Sequence, residues 1–126
     1  MLTGFETLIL ASGTPYMTVT KNGASFNKSC VEKMEMAPYV LPLIDRVGKR
    51  FAIVHCDMDE PGAQKFFRGR DISNGVRWGN TDFLTTVSEI VGVSYEEGFR
   101  VNASFDPDER ALIFDLSDPL PVRGSK

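Results

Sequence analysis

Lys21–Asn22–Gly23–Ala24–Ser25–Phe26–Asn27 is the stretch on which the fold turns. Asn-Gly tolerates positive φ at both positions, so Lys21–Gly23 reads as a tight turn. Before it, Met17 and Val19 alternate with threonines, the period of a half-buried strand. After it, Ala24–Phe26 returns as a second strand. Asn27 then stands where an N-cap should, ahead of a short helix with Val31 and Met34 on one face. That helix must end before Pro38. Tyr39–Asp45 and Lys49–Cys56 bracket Arg46–Val47–Gly48, which predicts a hairpin. Upstream, Phe5–Ala11 reads as a short strand closed by the turn chemistry of Ser12–Pro15.

The same order recurs downstream. Gly75–Trp78 takes the place that Gly23–Phe26 holds in the first unit, with its aromatic residue at the same position. Asn80 or Thr81 caps a second, longer helix whose apolar stripe is Phe83, Leu84, Val87, Ile90 and Val91, and Gly92 supplies its left-handed stop. Phe99–Phe105 and Arg110–Leu116 form a second hairpin around Asp106–Pro107–Asp108–Glu109, with Pro at the second position of a type I turn. Lys49–Arg50–Phe51–Ala52–Ile53 aligns with Glu109–Arg110–Ala111–Leu112–Ile113. On this reading Phe83, Val87, Ile90, Ile53 and Ile113 are core, and Phe26 and Trp78 are equivalent barrel residues. One such unit is too small to bury its own strands, so the copies must share a core. The expected fold is therefore α+β: one domain over residues 1–126, a small β-barrel built from two strand–helix–hairpin repeats. The repeats span about 17–57 and 75–116, with a connector at 58–74 and a loose tail at 117–126. Within the connector, Phe66 and Phe67 could supply a short strand or plug.

Composition bounds the function. A chain of 126 residues that is 42% hydrophobic and 25% charged belongs with folded single domains. Its longest apolar runs, Leu8–Ala11 and Phe51–Val54, fall far short of the ~20 residues of a membrane span. No basic residue precedes Lys21, so a secretory leader is not expected and a cytoplasmic location is. Cys30 and Cys56 lack metal-ligand spacing and read as buried free thiols. His55 is the single histidine, and on a strand it points away from Cys56, so the two cannot converge on one ion. Asp57–Asp59–Glu60 and Asp106–Asp108–Glu109 lack the calcium-loop pattern and read as solvated turns. With no phosphate-binding glycine motif either, neither an enzyme nor a cofactor is expected.

The net charge of −3 hides an asymmetry. Residues 17–57 balance to +2 and residues 65–78 to +3, whereas residues 79–119 carry −7. That pattern suits a basic face offered to an acidic partner. The candidate contact residues are Lys21, Asn22, Lys28, Arg46, Lys49, Arg50, Arg68, Arg70 and Arg77, with Asn27 as a further polar contact.

The order turn with Gly, short strand, capped helix and hairpin resembles that of the AbrB-like swapped-hairpin regulators, and a tandem pair in one chain is similar to the MraZ-like arrangement. Lys21–Asn22–Gly23, Phe26, Val31, Met34, Tyr39–Leu41, Asp45 and Phe51–Val54 carry the likeness. It implies a swapped-hairpin barrel, binding of duplex DNA near the turns, transcription regulation and a homodimer as one assembly. The family's Arg after the turn glycine is replaced by Ala24 and Val76, and its Pro before the helix by Asn27 and Gly79. The alternative expectation is a protein-binding module, such as an antitoxin-like partner or a mobile-element inhibitor, anti-CRISPR in type, of a nucleic-acid enzyme.

Overall fold

The computed structural model describes residues 3–4, 13–69 and 75–122. The expected Phe5–Ala11 strand and Arg70 lie outside the described residues. In chain order the elements are β1 (Tyr16–Thr20), β2 (Gly23–Phe26), α1 (Lys28–Lys33), β3 (Tyr39–Asp45) and β4 (Arg50–His55). They continue with β5 (Gln64–Lys65), β6 (Val76–Trp78), α2 (Thr81–Val91), β7 (Phe99–Asp106) and β8 (Ala111–Asp115). The strands form one antiparallel sheet in the order β5-β3-β4-β8-β7-β1-β2-β6, curled into a half-barrel with the two helices packed on it. No helix among the described residues is long and apolar enough to cross a membrane.

Local chemistry explains the helix ends. The Asn27 Oδ1 accepts from Cys30 N at 3.2 Å and from Tyr16 N at 3.1 Å, so one side chain caps α1 and pins the start of β1. Asn80 caps α2 in the same way, accepting from Phe83 N at 3.0 Å. Gly92 closes α2 in the left-handed conformation with φ of 88°.

The core is aromatic at its centre. Phe26, Phe51 and Phe114 are essentially inaccessible. Phe26 meets Trp78 edge-on at a centroid distance of 4.9 Å, and Phe51 lies 5.0 Å from Phe83. Such pairs add ~0.5–1.5 kcal/mol each beyond area burial. Phe66 plugs the cluster from just past β5, where its N–H bonds Pro38 O at 2.8 Å.

The two hairpins share one geometry. Asp45 accepts from Gly48 N at 2.8 Å, and Asp106 accepts from Glu109 N at 3.3 Å. Lys49 and Arg110 are the left-handed residues, with φ of 56° and 53°. Lys49 therefore corresponds to Arg110, one place further along the chain than the expected Glu109. Across the sheet, β4 and β8 pair from Arg50–Asp115 to Val54–Ala111, centred on Ala52 opposite Ile113, which carries the same shift of one place. Strands β2 and β6 pair with Ser25 opposite Arg77 at their centre, and these two are equivalent when Gly23–Phe26 is laid on Gly75–Trp78 as expected. Both ends of that pair approach closely. A Cβ on Gly23 would lie 2.8 Å from the Trp78 carbonyl oxygen, and one on Gly75 would collide with the Phe26 carbonyl.

A slip of one residue reverses every side chain on a strand. Leu112 and Phe114 therefore fill the core, and Ile113, expected there, is half-buried on the outer face. Ile53 and Val87 are buried as expected, whereas Phe83 and Ile90 are only partly covered at the margin. Leu116 closes the second unit buried, and the first residues of the tail are tied down, since Arg100 and Leu120 exchange two backbone bonds of 2.8 Å. Cys30 is buried, with its thiol pushed up to about 12 by that burial. Cys56, also free, is only partly covered.

Candidate nucleic-acid interface

Strand alternation builds a face that the linear charge pattern does not show. On β1, Met17 and Val19 point inward, leaving Tyr16, Thr18 and Thr20 outside. On β2, Ala24 and Phe26 point inward and Ser25 outward. Phe99 and Val101 of β7 are buried, so Arg100 and Asn102 face out, and on β6 the outward residue is Arg77. The register aligns them: Arg100 opposite Thr18, Thr18 opposite Ser25, Ser25 opposite Arg77. The result is a lateral row across four strands, two hydroxyls between two arginines. Adjacent strands lie ~4.8 Å apart, so the row is about 14 Å wide between its outer Cα atoms.

Tyr16 and Asn102, paired with each other, continue the face along the strands. The Arg100 guanidinium carbon lies 4.4 Å from the centre of the Tyr16 ring, a cation–π contact. A hollow of about 380 Å³ runs beside the row, lined by Tyr16, Thr18, Ser25, Asn27 and Lys28. Along the paired stretch none of the outward residues is acidic. Among the described residues neither Arg77, Lys28 nor Lys21 has a carboxylate within ion-pair distance.

The sequence-predicted contacts divide. Arg77 lies in the row, Lys28 borders the hollow, and Lys21 and Asn22 occupy the exposed β1–β2 turn. Asn27 is spent on structure: besides its two acceptor bonds, Nδ2 donates to Thr14 O at 2.9 Å. Arg46, Lys49 and Arg50 cluster at the β3–β4 turn, where acids interleave with them. Arg50 donates to Asp45 through Nη2 at 2.7 Å and Nε at 3.1 Å, and faces Asp115 across the ladder. The Gly48 N–H, and after it Arg50, holds the Asp45 carboxyl below its usual range. Ser117 does the same for Asp115. Arg68 is exposed beyond β5. Lys21 has acids in its neighbourhood, because the turn carrying Glu96 and Glu97 leads into Gly98, which abuts Val19 and Thr20.

Arg100, Tyr16, Thr18 and Ser25 were not legible as site residues. Arg100 sits in the most acidic third of the chain, and only the long-range β1–β7 pairing brings it beside Thr18. His55 borders a separate hollow of about 290 Å³ near Glu35 and Arg110, which pair with each other at 2.9 Å. Among the described residues, no group of three or more His, Cys, Asp or Glu side chains is placed to hold a metal ion. No protein-family model, curated protein or solved structure matches this chain.

Proposed function

We propose that the chain is a DNA-binding regulator that seats the outer face of β7-β1-β2-β6 on duplex DNA. The row Arg100–Thr18–Ser25–Arg77 carries this reading. Its width of about 14 Å is close to the ~12 Å of a B-form major groove. An arginine at each end can then reach phosphates on the two borders while the hydroxyls face the base edges. The absence of acids on that stretch matters because a duplex repels carboxylates as strongly as it attracts guanidinium groups. The acidic pI of about 5.1 reflects charge carried elsewhere on the surface. We also read the two units as a swapped-hairpin pair of AbrB/MraZ type. The shared hairpin turns, the Lys49–Arg110 correspondence and the Ser25–Arg77 centre support that reading.

Titration of fluorescent duplex at low and at physiological salt tests the function. Binding should weaken steeply with salt, and Arg77→Ala with Arg100→Ala should flatten the slope by about two, at ~0.9 for each phosphate no longer neutralised. Arg77→Glu alone should weaken binding to all sequences, and because Arg77 is exposed its effect is separable from unfolding by circular dichroism. Absence of binding at low salt, or unchanged binding by these variants, would reject the face.

A second reading, the protein-binding module, rests on the β3–β4 hairpin. Leu43, Ile44 and Val47 are 49%, 41% and 97% exposed there. Loss of the DNA reading would bring this one forward.

A further inference from the structure

The sheet order ends at β5 on one side and at β6 on the other. Both ends line one cleft of about 610 Å³. In the other half of the molecule β1 and β2 are joined by a two-residue turn and pair directly. Here the bridge is a side chain: Trp78 Nε1 donates to Lys65 O at 3.0 Å.

Among the described residues the cleft is bordered by backbone groups that lie outside the ladders, of which the Lys65 carbonyl already accepts from Trp78. Phe66 N–H bonds Pro38 O, so by alternation the groups of Lys65 point away from β3. Asn27 N–H bonds Tyr16 O, which assigns Ser25 to β1 and Ala24 and Phe26 to β6. Arg77, lying between the two β6 residues that bond β2, therefore directs its N–H and C=O into the cleft. Tyr39, Pro42, Trp78 and Phe83 supply apolar walls, and Lys65 and Arg77 supply charge. Among the described residues no acid lines the cleft, and neither cation has a carboxylate partner.

An exposed strand edge recognises an extended backbone, and the alternating pockets beside it select side chains. We infer that this cleft receives an extended acidic peptide segment of a partner protein. The segment adds as a strand along the Arg77 edge, sets an aromatic or branched side chain against Trp78 and Phe83, and places a carboxylate on Lys65. The volume falls within the ~300–1,000 Å³ typical of ligand sites. This inference shares Arg77 with the DNA-binding reading, and it is tested at Lys65, which is outside the row of that face.

Trp78 is the single tryptophan, so its emission reports the cleft directly. The probes are capped hexapeptides in which glutamate alternates with phenylalanine or valine, and the same peptides with lysine for glutamate. The glutamate peptides should shift Trp78 emission saturably below about 1 mM, and the lysine peptides should not. Lys65→Glu, at an exposed position, should weaken the glutamate peptides at least about tenfold, a difference of ~1.4 kcal/mol, while leaving DNA titrations unchanged. No saturable shift with any glutamate peptide would overturn the inference. So would an equal response to both peptide sets, or full affinity retained by Lys65→Glu.

Discussion

Truncating Leu112 and its neighbour Ile113 to alanine, one at a time, separates the two possible alignments of the hairpins. Leu112 is fully buried opposite Ile53, whereas Ile113 lies opposite Ala52 on the outer face beside Leu43 and Ile44. Deleting a buried leucine side chain costs ~2–5 kcal/mol through lost transfer energy and the cavity left behind. For a half-covered isoleucine the loss is about 1 kcal/mol, roughly half the value for full burial. A domain of 126 residues unfolds with an entropy of about 0.26 kcal/mol per degree. Leu112→Ala at ~3 kcal/mol should then lower the melting temperature by about 11 °C, and Ile113→Ala by about 4 °C. Thermal melts followed by circular dichroism, with urea midpoints as a check, give both values. If Ile113→Ala costs as much as Leu112→Ala, the match of Lys49 with Arg110 is wrong and its match with Glu109 returns.

Three further outcomes test local features. The Asp45 carboxyl is lowered by Gly48 and then Arg50, so its stabilisation is present above the unfolded value of ~3.9 and lost as pH falls through the lowered one. Asp45→Asn should therefore lower the melting temperature at neutral pH, and the difference from the parent should close in acid. Iodoacetamide at about pH 8 should modify Cys56 before Cys30, because Cys30 is buried with its thiol raised to about 12; mass spectrometry showing equal rates would contradict the burial. Lys49→Gly should raise the urea midpoint by an amount equivalent to ~0.5–1 kcal/mol, since glycine relieves the left-handed strain but loosens the unfolded chain; a drop would mean the lysine conformation is unstrained.

What the sequence revealed was local. The tight turn before β2, the Asn27 and Asn80 caps and the Gly92 stop each depend on a few adjacent residues and are found. In the turn, however, only Gly23, and not Asn22, takes positive φ. The hairpins were legible as hairpins, but their alignment was not. The left-handed conformation of the two turns falls to Lys49 and Arg110, neither of them a glycine. The two-residue β5 and the Leu120 bridge to Arg100 are fixed by distant partners and leave no periodic signal. The candidate site follows the same rule. Counting cations along the chain assembled Arg46, Lys49 and Arg50, which the fold mixes with Asp45 and Asp115. The row on β7-β1-β2-β6 takes one residue from each of four strands, so no window of sequence contains it.

The ladder between β4 and β8 also sets a timetable for synthesis. Phe51 pairs with Phe114 and Ile53 with Leu112, partners that lie in opposite halves of the chain. At elongation rates of ~5–20 residues per second, roughly 3–12 s pass between the making of β4 and the making of its neighbour. During that interval the first hairpin has one flank with no β8 to cover it, and Phe51 lacks the Phe114 ring that later lies 5.6 Å away. A nascent chain of this design is vulnerable to association in the pause, and slowing translation between residues 55 and 110 should lower its soluble yield more than slowing it before residue 50.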